Sequence, residues 1–360
     1  NKLYYTVGDR GLEVTDKSGH TVKAGEDTKP YSRATVLRSD LDGEHLELLA
    51  WNLRNPYEPT VDSFGTIWSS DNDDDGNEQV RMVQVVEGGD YGYGGPRVMG
   101  DRKQDEVHWR AHMPGVIPTT LRTGFGSPTG LLFYEGDMLP EPYQNAMIHA
   151  DAGPRVIRSY PMTANGAGYD GEQHILLSSE EDTWFRPSDV CVAPDGSIFV
   201  ADWYDPGVGG HRMGDFEQGR IYRLAPIDEH SPADAFNLDT PRGVAEAVAS
   251  PNQARRYLGF QKLTELAHAH DYAAFGILAE ENDPVLRARS LWVMALAMPD
   301  PSPLLQSLMQ DSDGRIRTLA VRIAANRGMD PLHIDSTLVD DSDAAVRRQI
   351  LVSPFERSIE

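Results

Sequence analysis

Apolar residues change period once along this chain. From Asn1 to about Leu224 they come in short runs punctuated by Gly, Asp, Asn and Pro, a pattern of strands and turns. Three segments share a layout in which a turn leads into an aromatic-bearing strand that ends near an Asp: Lys2–Asp9 (KLYYTVGD), Gly65–Asp71 (GTIWSSD) and Gly196–Asp202 (GSIFVAD). The last follows Pro194-Asp195, a turn in which Pro presets one φ and Gly196 permits a positive one. Recurrent strand–Asp units predict a propeller in preference to a sandwich or simple barrel, each blade sending one such edge towards a central channel.

From Ser250 onward the period is helical. Asp283-Pro-Val-Leu-Arg287, Asp313-Gly-Arg-Ile-Arg317 and Asp343-Ala-Ala-Val-Arg347 recur thirty residues apart, and Asn252 to Arg256 reads as a looser first copy. Each Asp or Asn suits an N-cap, and Pro284 suits the first helical position. Amphipathic runs such as Leu291–Leu296 follow, so the unit reads as a helix pair that buries its apolar face against neighbours. The periodic Arg reads as a rung between repeats. The chain thus divides into a β portion at 1–225, a polar Pro- and Asp-rich linker at 226–245, and a HEAT-like stack at 246–360.

Charge narrows the partners. The 360 residues hold 33 Lys plus Arg against 56 Asp plus Glu, a formal net charge of −23 that argues against nucleic acid, whose phosphates need clustered cations. Cys191 is the single cysteine, which excludes an internal disulfide. No apolar run approaches a membrane span. The chain opens at Asn1 inside a β pattern and closes at Glu360 straight after a helical one, and therefore reads as a piece of something longer.

Candidate chemistry gathers between Trp51 and Tyr93. Arg54-Asn55-Pro56 offers planar, directional donors that suit an anionic or carbonyl-bearing ligand. The loop Asp71–Asn77 alternates Asp71, Asp73 and Asp75 before Gly76, a set of hard oxygens that suits Ca²⁺. It is not an EF-hand, because Met82 stands where the bidentate Glu should be and strands flank the loop. His149 and His211 are candidates by position only. No HExxH, GxSxG, Walker or CxxCH pattern occurs.

Taken in order, KLYYTVGDRG, LRNPYEP, EGGDYGY, SPTGLLFYEG and FRPSDVCVAPDG resemble the landmarks of the glucose/sorbosone dehydrogenases, soluble quinoprotein propellers, over about residues 1–225. The wording DSFGTIWSSDNDDDGN, GSPTG, WFRPSDV and ADWYD, followed by helical repeats, is similar to large exported bacterial "membrane-bound dehydrogenase" proteins, which often continue into a c-type cytochrome domain. The resemblance implies a partial six-bladed-type β-propeller, about four blades of it, followed by a HEAT-like α-solenoid. It implies pyrroloquinoline quinone and Ca²⁺ as cofactors and a sugar or related alcohol as substrate. It also implies a cytochrome c domain as electron acceptor, with haem c in a missing C-terminal domain, and a periplasmic or otherwise exported location. Arg54 and Asn55 would contact the quinone, Asn72 and Asp73 would lie near cofactor and calcium, and Arg186 would match the first Arg of the family's R-x-R motif. Ser188 stands where the second Arg belongs, no Lys occurs near Ala152-Gly153, and the family's catalytic His would precede Asn1. Two rival readings follow from the same residues. One is a non-catalytic binding module, with the helical stack holding a protein partner. The other is a Ca²⁺-dependent lactonase-type hydrolase with Asp9, Asn72, Asp189 and Asp202 converging on the channel.

Overall fold

A computed structural model describes residues 2–25, 27–72, 80–93, 109–111, 113–208, 217–227, 235–280 and 283–353. Four sheets follow one another. The first takes β1 (Lys2–Val7), β4 (Ala34–Asp40), β5 (Glu47–Leu53) and β9 (Gly89–Asp90), with β2 (Leu12–Thr15) and β3 (Thr21–Ala24) as a side hairpin. The second orders β6 (Pro59–Val61), β7 (Ile67–Asp71), β8 (Val80–Val85) and β10 (Leu121–Gly124). The third runs β11 (Pro128–Tyr134), β12 (Ala146–Asp151) and β13 (Val156–Asn165), which pairs both β14 (Gly168–Gly171) and β15 (His174–Ser178). The fourth is β16 (Pro187–Val192), β17 (Ile198–Asp202) and β18 (Arg220–Leu224). Among the described residues no sheet closes on itself.

Each neighbouring pair of sheets shares an apolar layer, because alternate strand residues face opposite sides. Val36, Leu49, Ile67 and Val83 fill the first layer; Trp68, Met82, Leu131 and Tyr160 the second; Ile148, Ile157, Val190 and Val200 the third. The first strands β1, β6, β11 and β16 are laced in sequence by side chains. Thr6 Oγ1 donates to the Pro56 and Tyr57 carbonyls at 3.1 and 2.8 Å. The Leu131 N–H donates to Glu58 Oε2 at 2.8 Å, and Thr129 Oγ1 donates to the Pro187 carbonyl at 2.8 Å. The outer edges of these first strands, which would otherwise stand unpaired, therefore find partners on the next sheet.

The helical part comprises α1 (Pro241–Ala249), α2 (Gln253–His268), α3 (Ala273–Glu280), α4 (Pro284–Ala297), α5 (Ser302–Leu308), α6 (Gly314–Asn326), α7 (Pro331–Ile334), a 3₁₀ turn (Ser336–Asp340) and α8 (Ala344–Val352). Asn252, Asp283, Asp313 and Asp343 each accept an N–H from the first turn of the helix they precede. The helical part begins earlier than its linker boundary predicts. Thr240 caps α1 with Pro at its start, and Val244, Ala245 and Val248 bury against α2 and α3, so local apolar spacing outweighs the polar stretch before it. The periodic arginines form rungs: Arg287 pairs with Asp311, and Arg317 grips Asp341 at 2.8 Å through both Nε and Nη2.

The helices seat against the turns that join first and second strands. Glu135, buried, accepts from Ser63 N and Oγ at 2.8 and 2.7 Å, from Arg256 at 2.8 Å and from Arg289 at 3.1 Å. Trp292 Nε1 donates to the Ser63 carbonyl, and Arg322 to that of Phe64. Gly65 is required twice over: its φ is +82°, and a Cβ there would lie 2.9 Å from Trp292.

Candidate functional site

The opposite rim is where β7, β12 and β17 end, beside the starts of their antiparallel partners β6, β11 and β16. All three end in an aspartate, Asp71, Asp151 or Asp202, and each carboxylate reaches across to the segment leading into its own sheet. Asp71 Oδ1 accepts from the N–H groups of Arg54 and Asn55 at 3.0 and 2.9 Å. Asp151 Oδ1 accepts from Ser127 N at 2.7 Å, and Asp202 Oδ1 from Arg186 N at 2.8 Å and Tyr204 N at 2.9 Å. Burying a carboxylate is costly without opposite charge and donors. Two of the three have both, since Asp71 Oδ2 takes Arg81 Nε and Nη2 at 3.1 and 3.0 Å, and Asp151 Oδ2 takes Arg158 Nη1 at 2.9 Å. Arg81 is itself held by the Tyr91 carbonyl and by the Trp109 ring, 3.7 Å away.

The clamp on Arg54 and Asn55 sets one corner of this rim. Asn55 is exposed and Arg54 half-buried. Asn55 Oδ1 lies where a Cβ on Gly8 would be 2.7 Å away, so Gly8 leaves room for that amide. The Asn72 N–H approaches the Asn55 carbonyl at 3.4 Å. Arg54, Asn55, Asp71, Asn72 and the end of β1 therefore meet, although about fifty residues of sequence separate Gly8 from Asn55.

The family described as a domain of unknown function, DUF7133, matches residues 1–228. The chain belongs to that family. No curated protein matches it. Among solved structures it is similar to an oxidoreductase described as a glucose dehydrogenase from Thermus thermophilus, at 20% identity and a TM-score of 0.39, covering 52% of this chain and 54% of that one. It is similar to a PQQ-bound aldose sugar dehydrogenase from Streptomyces coelicolor at 15% identity and 0.41, covering 61% and 62%. It is also similar to the PQQ domain of a Coprinopsis cinerea pyranose dehydrogenase at 14% and 0.38, covering 54% and 66%. The chain spans between about half and two-thirds of the length of those proteins.

Within the DUF7133 portion the remaining expected site residues fall out as follows. Asp73, Asp75 and His211 lie outside the described residues. Asp71, expected as a cation ligand, has both carboxylate oxygens occupied by N–H donors, because it is still part of β7 and registers with Arg81 on β8. Arg186, expected on the cofactor, is buried and donates instead to the carbonyls of Phe185 and Pro206 at 2.9 and 3.3 Å. His149 is buried with Nδ1 3.2 Å from the Tyr160 hydroxyl, and burial together with Arg158 pulls it down to about 3, so it is neutral at physiological pH. Among the described residues no three His, Cys, Asp or Glu side chains group as a metal site.

Sequence reasoning missed Glu58. It precedes β6, and burial, with Asp189 adding, pushes its carboxyl up to about 7. It lines a groove of about 1980 Å³ with Asp189, Cys191 and the helical Arg256 and Arg289. Nothing in a lone Glu before a Pro signals this; its environment comes from β11 and β16.

Proposed function

We propose that this chain is the greater part of the propeller, with a HEAT-like stack behind it, of an exported quinoprotein-type oxidoreductase acting on a sugar or related alcohol. The observation that carries the reading is the meeting of Gly8 and Asn55. Asn55 belongs to the landmark that the dehydrogenase resemblance assigns to the cofactor, Gly8 belongs to a strand landmark of the same family, and the two are far apart in sequence yet adjacent on the rim. The donor set fits a flat, carbonyl-bearing anion at that corner: an exposed Asn amide beside an Arg, on a segment whose two N–H groups are fixed by Asp71. Bound there, pyrroloquinoline quinone would supply the hydride acceptor. Arg54 and Asn55 would orient it, Arg186 would brace the neighbouring lead-in segment, and Asn72 with Asp73 and Asp75 would lie beside a Ca²⁺. The proton acceptor in this reading is a His upstream of Asn1, and electrons pass on to a cytochrome c domain.

Because this reading assigns the proton acceptor to a residue outside these 360, binding and turnover are tested apart. Pyrroloquinoline quinone titrated with Ca²⁺ into this chain should quench tryptophan fluorescence and raise Tm, and Asn55→Ala should weaken binding about tenfold, one directional hydrogen bond being worth about 1.4 kcal/mol. The full-length protein should then reduce a dye with sugars. Absence of both effects would overturn the reading. A non-catalytic binding module would replace it, a reading favoured by the engagement of Arg186 with main-chain carbonyls and by Ser188 in place of an Arg.

A further inference from the structure

The three strand-end aspartates are not equivalent. Asp202 registers with Arg220 on β18 as Asp71 registers with Arg81 on β8. Arg81 turns inward to its Asp, whereas Arg220 turns outward: its Nη1 donates to Asp182 Oδ2 and to the Tyr222 hydroxyl, both at 3.0 Å, and its guanidinium lies 4.1 Å from the Tyr204 ring centre. Asp202 Oδ2 is left buried with no hydrogen-bond partner among the described residues. Three residues on, Asp205 repeats the situation. Its Oδ1 accepts Gly207 N at 2.8 Å, and its Oδ2 is likewise buried without a partner among the described residues. The two residues are 4% and 2% exposed.

Arg186 does not satisfy them. It feels the charge of both carboxylates, yet its Nη1 and Nη2 face carbonyls and its Nε also lacks a partner among the described residues. Arg155 also lies within electrostatic reach of Arg186, yet among the described residues no side chain bonds either Oδ2, which leaves two buried carboxylate oxygens open. Such an arrangement is unfavourable unless a cation completes it. Hard carboxylate oxygens on a loop that also offers main-chain carbonyls suit Ca²⁺, which accepts irregular oxygen shells completed by carbonyls and water, better than Mg²⁺ with its strict octahedron.

We propose that Asp202 and Asp205 hold a calcium ion at the tip of the fourth sheet, a site separate from the acidic loop at 71–77 and independent of the quinone reading. Trp203 lies between them in the chain, and Trp184 is tied to Asp205 through its carbonyl. Tryptophan-sensitised terbium luminescence therefore reports on this position. The intact chain should show saturable terbium binding displaced by Ca²⁺ and far less by Mg²⁺. Asp205→Asn should weaken it at least tenfold with an unchanged circular dichroism spectrum, and Asp182→Asn should leave it as it was. Asp205 is the residue to change because Asp202 also holds Arg186 N, and its loss could disturb the fold. No saturable binding in the intact chain would overturn the site. So would wild-type affinity in Asp205→Asn; if Asp73→Asn with Asp75→Asn then abolished binding, the ion would belong to the acidic loop, and only the present inference would fall.

Discussion

Aspartate–arginine pairs serve both halves of the molecule, under different physical conditions. In the sheets Asp71 and Arg81 are 0% and 1% exposed, and the carboxylate also fixes two backbone N–H groups of a neighbouring segment. In the helices Arg287 and Asp311 are 43% and 11% exposed and Arg315 with Asp313 more so, whereas the Arg317–Asp341 rung is largely buried. A buried pair is expensive to form and ruinous to break by halves, whereas an exposed pair gains little because water competes for both partners. The β half therefore uses the pair to position a loop, and the helical half uses it to keep repeats in register. Location, not residue type, decides the role.

Breaking one buried clamp tests this most severely. Asp71→Asn should lower the unfolding free energy by about 3–5 kcal/mol, read by urea denaturation, because it strands the buried Arg81 charge. A smaller effect of opposite sign is expected at Glu58. Its carboxyl is raised from 4.5 to about 7 in the folded chain. Between those values the folded state holds the proton that the unfolded state has released, so this group makes stability fall as pH rises from about 4.5 to about 7 and then level off. Glu58→Gln, which keeps an acceptor for Leu131 N, should remove that falling limb and leave the variant more stable at pH 8 than the native chain. The smallest change belongs to the exposed rung: Arg287→Met should lower stability by about 1 kcal/mol, with high salt weakening the native pair with Asp311. Equal losses at Asp71 and Arg287 would show that burial does not divide the two pairs as argued.

The same contrast explains how far the residues could be read in advance. The caps at Asn252, Asp283, Asp313 and Asp343 were legible because a cap is a local device, complete within a few residues. Strand–Asp units at Asp71 and Asp202 were legible for the same reason. Asp151 was not, since β12 lacks the turn Gly and aromatic that mark the others. The rung partners Asp311 and Asp341 escaped too, because the capping Asp two residues on carries the stronger local signal and only packing shows which carboxylate faces the next helix pair. Asp71 read as the first member of an alternating acidic loop; whether it points at a cation or at Arg81 depends on where β7 stops, and spacing alone does not tell. Arg186 is a similar case, its direction set by carbonyls that include Pro206 of the ADWYDP turn.

Glu135 has a bearing on how such a molecule is inherited. It sits in the sheets, yet two of its partners, Arg256 and Arg289, come from the helices. Cutting the polypeptide near residue 235 would orphan an acid in one fragment and a pair of bases in the other. Swapping either half between relatives should therefore succeed only when the matching residues travel with it, so the seam between sheets and helices is a poor place for recombination even though the chain there looks like a simple tether.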